Sequence, residues 1–279
     1  MTDMTRRSLP PMGAIEFSIG AVFRHFFFGL RLALGWLVVL LPLLALAWYM
    51  VLRNGPPDIK ALSGGQIAAI AALGVGVLLA SFSIAVNWHR RLLLDEKPRR
   101  LRWVRLDGVV WRYLAGFVLL LLVLALYGGA AYGLVTMAPQ ALEPKLGPAA
   151  RPLGIVLAVL FGLSALFTFY RLSSWLAGIA AGDRGYTLGT AWKATAKNRF
   201  AYLGFTFWLL FTLAIAGAIG AGAFFAQQTL PQPWVKPAAF AVMGVLAWLA
   251  MFLITSVASG HYRCFAAQEE PGPGRQPLS

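Results

Sequence analysis

Cysteine is nearly absent from this chain of 279 residues: Cys264 stands alone, so no disulfide framework within the chain can brace the fold. Charge is scarce as well, at 12% of residues, and acidic charge is the scarcest, with ten Asp and Glu against 24 Lys and Arg. Histidine occurs only at positions 25, 89 and 261, and the chain shows no metal-binding Cys or His pair. The sequence contains no nucleophile elbow, no P-loop and no dinucleotide fingerprint. These absences leave no metal, cofactor or catalytic centre to expect. What the chain has in abundance is apolar side chains: 59% of residues are hydrophobic and the mean hydropathy is +0.71. That balance excludes a disordered chain and a soluble globular domain and points to an integral membrane protein.

An ionisable side chain is costly at the centre of a bilayer and a spanning helix needs about 20 mainly apolar residues, so the charges mark where spans end. Six stretches qualify: Leu32 to Leu52, Ala61 to Trp88, a segment within Tyr113 to Leu142, Pro152 to Tyr170, the chargeless run that opens at Phe200, and Pro237 to Gly260. Gln227, Gln228, Pro231 and Pro233 end the fifth before Lys236, and Pro42 is expected to bend the first by removing a backbone donor. Ala45-Leu46-Ala47 looks like a signal-peptidase site. The 31 residues before the first span are too long for an ordinary leader and the apolar run continues to Leu52, so the segment is expected to stay as a span.

On this map 19 of the 24 basic residues fall on one side, including eight between the second and third spans and five between the fourth and fifth. Only Arg53, Lys60, Lys145, Arg151 and Lys236 fall on the other, so the positive-inside rule places both termini in the cytoplasm. A net charge of +14 is then first an orientation signal rather than a mark of nucleic-acid binding.

Organisation recurs at the scale of two helices. Each odd-numbered span follows a basic, aromatic lead-in: Phe23-Arg24-His25-Phe26, Trp111-Arg112-Tyr113 and Lys197-Asn198-Arg199-Phe200, each reaching a glycine soon after, at Gly29, Gly116 and Gly204. The lead-in arginines are 88 and 87 residues apart. The even spans close on Trp88-His89-Arg90, Phe169-Tyr170-Arg171 and His261-Tyr262-Arg263. Aromatic rings and snorkelling cations both favour the headgroup level, which explains the residue types; the repeated order suggests three parallel units. The expected fold is an all-α integral membrane domain over residues 13–262, six transmembrane helices in three interfacial-helix-plus-hairpin units (about 13–100, 101–186 and 187–265). A cytoplasmic tail, residues 1–12, precedes it and a disordered one, residues 266–279, follows. The first lead-in segregates Glu16, Gly20 and Arg24 from Ile15, Ile19, Val22, Phe23 and Phe26. The third sets Lys193 and Lys197 opposite Leu188 and Trp192 behind an N-cap at Thr187; the middle one, Leu101 to Arg112, segregates less cleanly.

Threefold hairpins, basicity and length invite comparison with mitochondrial carriers, but their signature fails here: no acid follows Pro42, and the other odd spans hold no internal proline. The Phe-rich lead-in Phe17 to Arg31, the repeated hairpins and the Asn87-Trp88-His89-Arg90 turn with Asp95-Glu96 resemble uncharacterised bacterial six-span inner-membrane proteins. They also resemble the membrane domain that accompanies some glycerophosphodiester phosphodiesterases. The likeness is one of layout and implies a bacterial inner membrane, without a phosphodiesterase domain.

The functional expectation follows from the charge. Next to a membrane, basic side chains attract anionic phospholipid at about 1 kcal/mol each. The candidate headgroup or partner contacts are Arg24, His89, Arg90, Arg91, Arg99, Arg100, Arg102, Arg105, Arg112, Arg171, Lys193, Lys197, Arg199 and Arg263. His89 with Asp95 and Glu96 is the best catalytic grouping, but it reads more simply as an interfacial residue beside a solvated loop. No span carries a charge at mid-depth, which disfavours ion-coupled transport. Small residues four apart, around Gly76 on the second span, Gly129 and Gly133 on the third, and Ala218 and Gly222 on the fifth, suit close helix packing or, in the alternative, the path of a transporter or flippase for a small or lipid-like substrate. The expectation is a non-enzymatic membrane protein contacting anionic lipid or a membrane-protein partner, in an envelope-related role, and not nucleic acid.

Overall fold

The computed structural model describes residues 11–52, 62–96, 103–196 and 235–266, together with scattered helical positions between 207 and 229. Among the described residues there is helix and no strand. The elements are α1 (Pro11–Arg24), α2 (Phe26–Ala47) running into a π-helical turn (Trp48–Leu52), α3 (Gly64–Leu94), α4 (Gly108–Thr136), the short α5 (Ala138–Leu146), α6 (Ala150–Ala181), α7 (Leu188–Thr195) and α8 (Val235–Ala266). Five helical segments are long and apolar enough to cross a membrane: Phe26–Met50, Gly64–Leu94, Gly108–Thr136, Pro139–Ala181 and Val242–Cys264. The expected fifth span and the terminal tails lie outside the described residues, apart from Pro11 and Met12, which open α1, Ala266, which closes α8, and single positions such as Ala218 and Gly222, which are helical and exposed.

Side-chain caps set three of the helix starts. Ser63 and Gln66 form a reciprocal capping box at α3, the Asp107 carboxylate accepts from the Val109 and Val110 amides at α4, and the Thr187 hydroxyl accepts from Thr190 at α7. Two helices end on left-handed residues: Asp95 closes α3 at φ 48° and Gly182 closes α6 at φ 84°. For Asp95, whose side chain makes this conformation costly by about 1 kcal/mol, the turn folds the chain back so that the Glu96 amide donates to the Arg90 carbonyl at 3.4 Å.

Helix α2 runs through Pro42 to Ala47, and two sequence expectations are corrected. The Asn87-Trp88-His89-Arg90 segment is no turn but lies inside α3, which continues to Leu94. The fourth apolar helix passes straight through Arg171 for ten further residues, because that guanidinium is satisfied by protein groups and need not mark an exit to water. In the middle lead-in, residues 103–107 are non-helical and α4 already begins at Gly108, so the described part of this lead-in holds no separate interfacial helix like α1 or α7.

Helix α3 packs against α2, α4, α6 and α8. One stripe, Ala80, Ile84 and Trp88, packs with Leu32, Trp36 and Leu40 of α2 and Phe252 of α8. A second, Phe82, Ala85 and Val86, packs with Val110, Tyr113 and Leu120 of α4 and Leu172, Leu176 and Ala180 of α6. Leu93 joins Ala177, Tyr186, Ala191, Ala258 and Tyr262 in a third cluster. These contacts concentrate at one end of the bundle, where α2 and α4 begin and α3, α6 and α8 finish. Elsewhere the helices are largely bare: between 17% and 33% of each apolar window is buried, a pattern compatible with a multi-pass membrane protein.

Candidate functional site

The packed end is built from polar groups as much as apolar ones. Trp88 Nε1 donates to Ser256 Oγ at 2.8 Å, and Ser256 in turn donates to the Phe252 carbonyl. His89, fully buried, lies between Ser259 Oγ (2.7 Å from Nδ1) and the Tyr113 hydroxyl (3.1 Å from Nε2), so three helices meet on one imidazole. With Ser259 donating to the Thr255 carbonyl at 3.1 Å, the consistent assignment puts the proton on Nδ1 and leaves Nε2 to accept from Tyr113. Both ring nitrogens are then used, and His89 is a cross-brace rather than an interfacial cation.

The short non-helical link before α4 is fastened to α3. The Arg105 amide donates to Ser83 Oγ at 2.9 Å and Asn87 Nδ2 donates to the Trp103 carbonyl at 3.3 Å. Arg105, itself buried, reaches Glu96 Oε1 at 3.1 Å and Asp107 Oδ2 at 3.2 Å, while Arg90 pairs with the other Glu96 oxygen and donates to the Ala180 carbonyl of α6 at 3.0 Å. Partial burial pushes the Glu96 carboxyl upward, but the hydrogen bonds and charges of Arg90 and Arg105 outweigh it and hold the group below the usual glutamate range.

Arg171 is likewise buried. Its guanidinium stacks over the Trp192 ring at 3.6 Å, donates to Thr195 Oγ1 at 2.9 Å and to the Trp192 carbonyl at 2.7 Å, and so ties α7 to α6. The turn between those helices is held by Asp183, which accepts from the Gly185 and Tyr186 amides and from the Tyr262 hydroxyl at 2.8 Å.

The candidate contacts therefore divide. His89, Arg90, Arg105 and Arg171 face protein groups. Arg24, Arg112, Lys193 and Arg263 are exposed, and Arg91 is partly so. Arg99, Arg100, Arg102, Lys197 and Arg199 lie outside the described residues. His89, Asp95 and Glu96, the best catalytic grouping by sequence, separate into three partnerships: with Ser259 and Tyr113, with Arg91, and with Arg90 and Arg105. Among the described residues no three of His, Cys, Asp and Glu gather where they would hold a metal ion.

Arg91 leads into a cavity of about 340 Å³ lined by Phe17, Ala21, Arg24, His25, Arg91, Leu92, Leu93, Asp95 and Arg263. Its walls are α1, the end of α3 and the end of α8. Sequence reasoning named three of its arginines but not their convergence, because α1 and α8 are over 200 residues apart and nothing local signals that they pack together.

The small-residue positions divide too. A side chain at Gly76 would meet Leu40 of α2 at 2.7 Å, whereas Gly129, Gly133 and Gly222 have open space around them among the described residues. The glycines where helices approach closely at the packed end are Gly29, Gly116, Gly178 and Gly260. Gly29 and Gly116 are two of the glycines that follow the recurring lead-ins. Compared with protein-family models, with curated proteins and with solved structures, the chain matches none.

Proposed function

We propose that this chain is a non-enzymatic, multi-pass protein of a bacterial inner membrane that uses one basic, aromatic end of its bundle to engage anionic phospholipid, in an envelope-related role. Six spans in three hairpin units and cytoplasmic termini complete the reading, the fifth span being the apolar run that opens at Phe200. The observation that carries it is the division of cations at the packed end. Arg90 and Arg105 are neutralised by Glu96 and Asp107, while Arg24, Arg112, Lys193 and Arg263 are exposed and have no carboxylate within ion-pair distance among the described residues. A cation kept out of structural pairs beside a lipid-facing surface is placed to meet an anionic headgroup. The three separate partnerships of His89, Asp95 and Glu96 support a role without turnover.

The test is native mass spectrometry of the protein extracted in mild detergent. Replacing Arg99, Arg100 and Arg102 together with Gln should sharply lower the co-purified anionic lipid, at about 1 kcal/mol per cation removed, and leave zwitterionic lipid unchanged. Equal anionic lipid on the variant and the parent would overturn the proposal.

A further inference from the structure

The cavity between α1, α3 and α8 differs from the rest of the basic end in being a formed recess. Three guanidiniums, of Arg24, Arg91 and Arg263, line it against one carboxylate, Asp95. Asp95 is already engaged: its Oδ1 pairs with Arg91 at 2.7 Å, and its carbonyl accepts from the same guanidinium at 3.2 Å. Arg91 nevertheless keeps a buried Nε–H with no hydrogen-bond partner, a donor that is costly to leave unsatisfied. Arg24 and Arg263 have no acidic partner among the described residues. The local field is positive by a second measure. His25 is held below its ordinary range by burial first and then by Arg91 and Arg24, with Asp95 opposing.

We infer that this recess is a single-occupancy site for a phosphate group, held by Arg24, Arg91 and Arg263. Guanidiniums bind phosphate oxygens through paired N–H donors, and converging arginines are the usual protein answer to a phosphate's charge and shape. The volume equals about ten waters, enough for a phosphate and a small polar substituent but not for acyl chains. Phe23 and Phe27, 77% and 79% exposed, flank Arg24 and His25 in sequence and offer an apolar surface for such chains, which favours a phospholipid over the free ion. The inference rests on the proposal that the basic end engages anionic lipid, and adds one defined site to it.

The experiment titrates phosphatidylglycerol and phosphatidylcholine into delipidated full-length protein and counts bound lipid by native mass spectrometry. The parent should retain one phosphatidylglycerol per chain in preference to phosphatidylcholine. Arg24→Gln with Arg263→Gln, two exposed positions outside the structural ion pairs, should weaken that first binding event about tenfold or more while the melting temperature stays put. Displacement of the retained lipid by millimolar inorganic phosphate would support the phosphate site and identify the free ion as its natural occupant. Retention of the lipid would support it with a headgroup as the occupant. A double variant that binds its first phosphatidylglycerol as the parent does would overturn the site. If the Arg99, Arg100 and Arg102 variant still loses lipid in that case, the broader reading survives; if neither variant loses lipid, both fall.

Discussion

The two ends of each long helix are held by different means. At the packed end, α3 from Ala80 to Leu93 and α6 from Thr168 to Ala180 are largely buried and cross-braced by Trp88, His89, Arg90 and Arg171. At the other, α4 beyond Leu120 shows exposed Leu122, Leu126 and Tyr132, and α6 shows exposed Ile155, Val156, Val159 and Leu160. Lipid chains are as apolar as leucine, so burying leucine against leucine gains little within a bilayer; close backbone approach and interhelical hydrogen bonds do more. The chain applies both devices where its helices meet the basic rim. It keeps few of them elsewhere, such as Tyr127 to Thr168 at 3.2 Å and Gly154 beneath the Leu134 carbonyl.

That contrast can be broken by moving bulk or charge between the two ends. The largest effect is expected for Gly178→Leu: even a Cβ there would sit 3.0 Å from Tyr186 and 3.1 Å from Tyr262, so a leucine should cost about 3 kcal/mol, read as a drop in melting temperature in detergent. Arg171→Met should follow at about 2 kcal/mol, and Arg171→Lys should recover little of it, since an ammonium cannot both stack on Trp192 and serve Thr195 and the Trp192 carbonyl.

Glu96→Gln should cost about 1 kcal/mol at neutral pH. Because the folded-state carboxyl is held below its unfolded value of 4.5, the Glu96 contribution is present above that pH and lost as pH falls through the folded value. Melting curves of parent and variant should therefore converge in acid. His25 has the opposite charge type with its value also lowered, so the folded state resists its protonation. Stability tied to it should fall as pH drops below 6.5, and His25→Gln should reduce that slope. The smallest effect is expected for Gly129→Leu, within about 0.5 kcal/mol, because nothing described lies near it. A destabilisation there comparable to that of Gly178→Leu would erase the distinction between the ends.

The five long helices described were legible because hydropathy is local: each overlaps one of the apolar runs that length alone picks out, and Thr187 announced its own cap. Charge misled where it was internally paired: Arg171 reads as the end of a span until Trp192 and Thr195 are seen beneath it. The site was half legible. Arg24, Arg91 and Arg263 were visible as basic residues near aromatic ones, but only the pairing of α1 with α8 puts them around one recess. The seam glycines show the same limit. Regular spacing singled out Gly129 and Gly133, whereas close approach falls on Gly116 and Gly178, which belong to no stripe and owe their role to bulky partners on other helices.

The packing of α1 on α8, with Phe17 set against Gly260, has a consequence for how the protein is made. Of the helices described, α1 leaves the ribosome first and α8 last, so the docking face of α1 stays unfilled for most of synthesis. The recess at Arg24 and Arg263 is absent from every nascent chain that has not yet delivered α8. Closure of the proposed site thus coincides with completion of the bundle, and a chain stalled or clipped before α8 leaves the face of α1 that meets Gly260 uncovered.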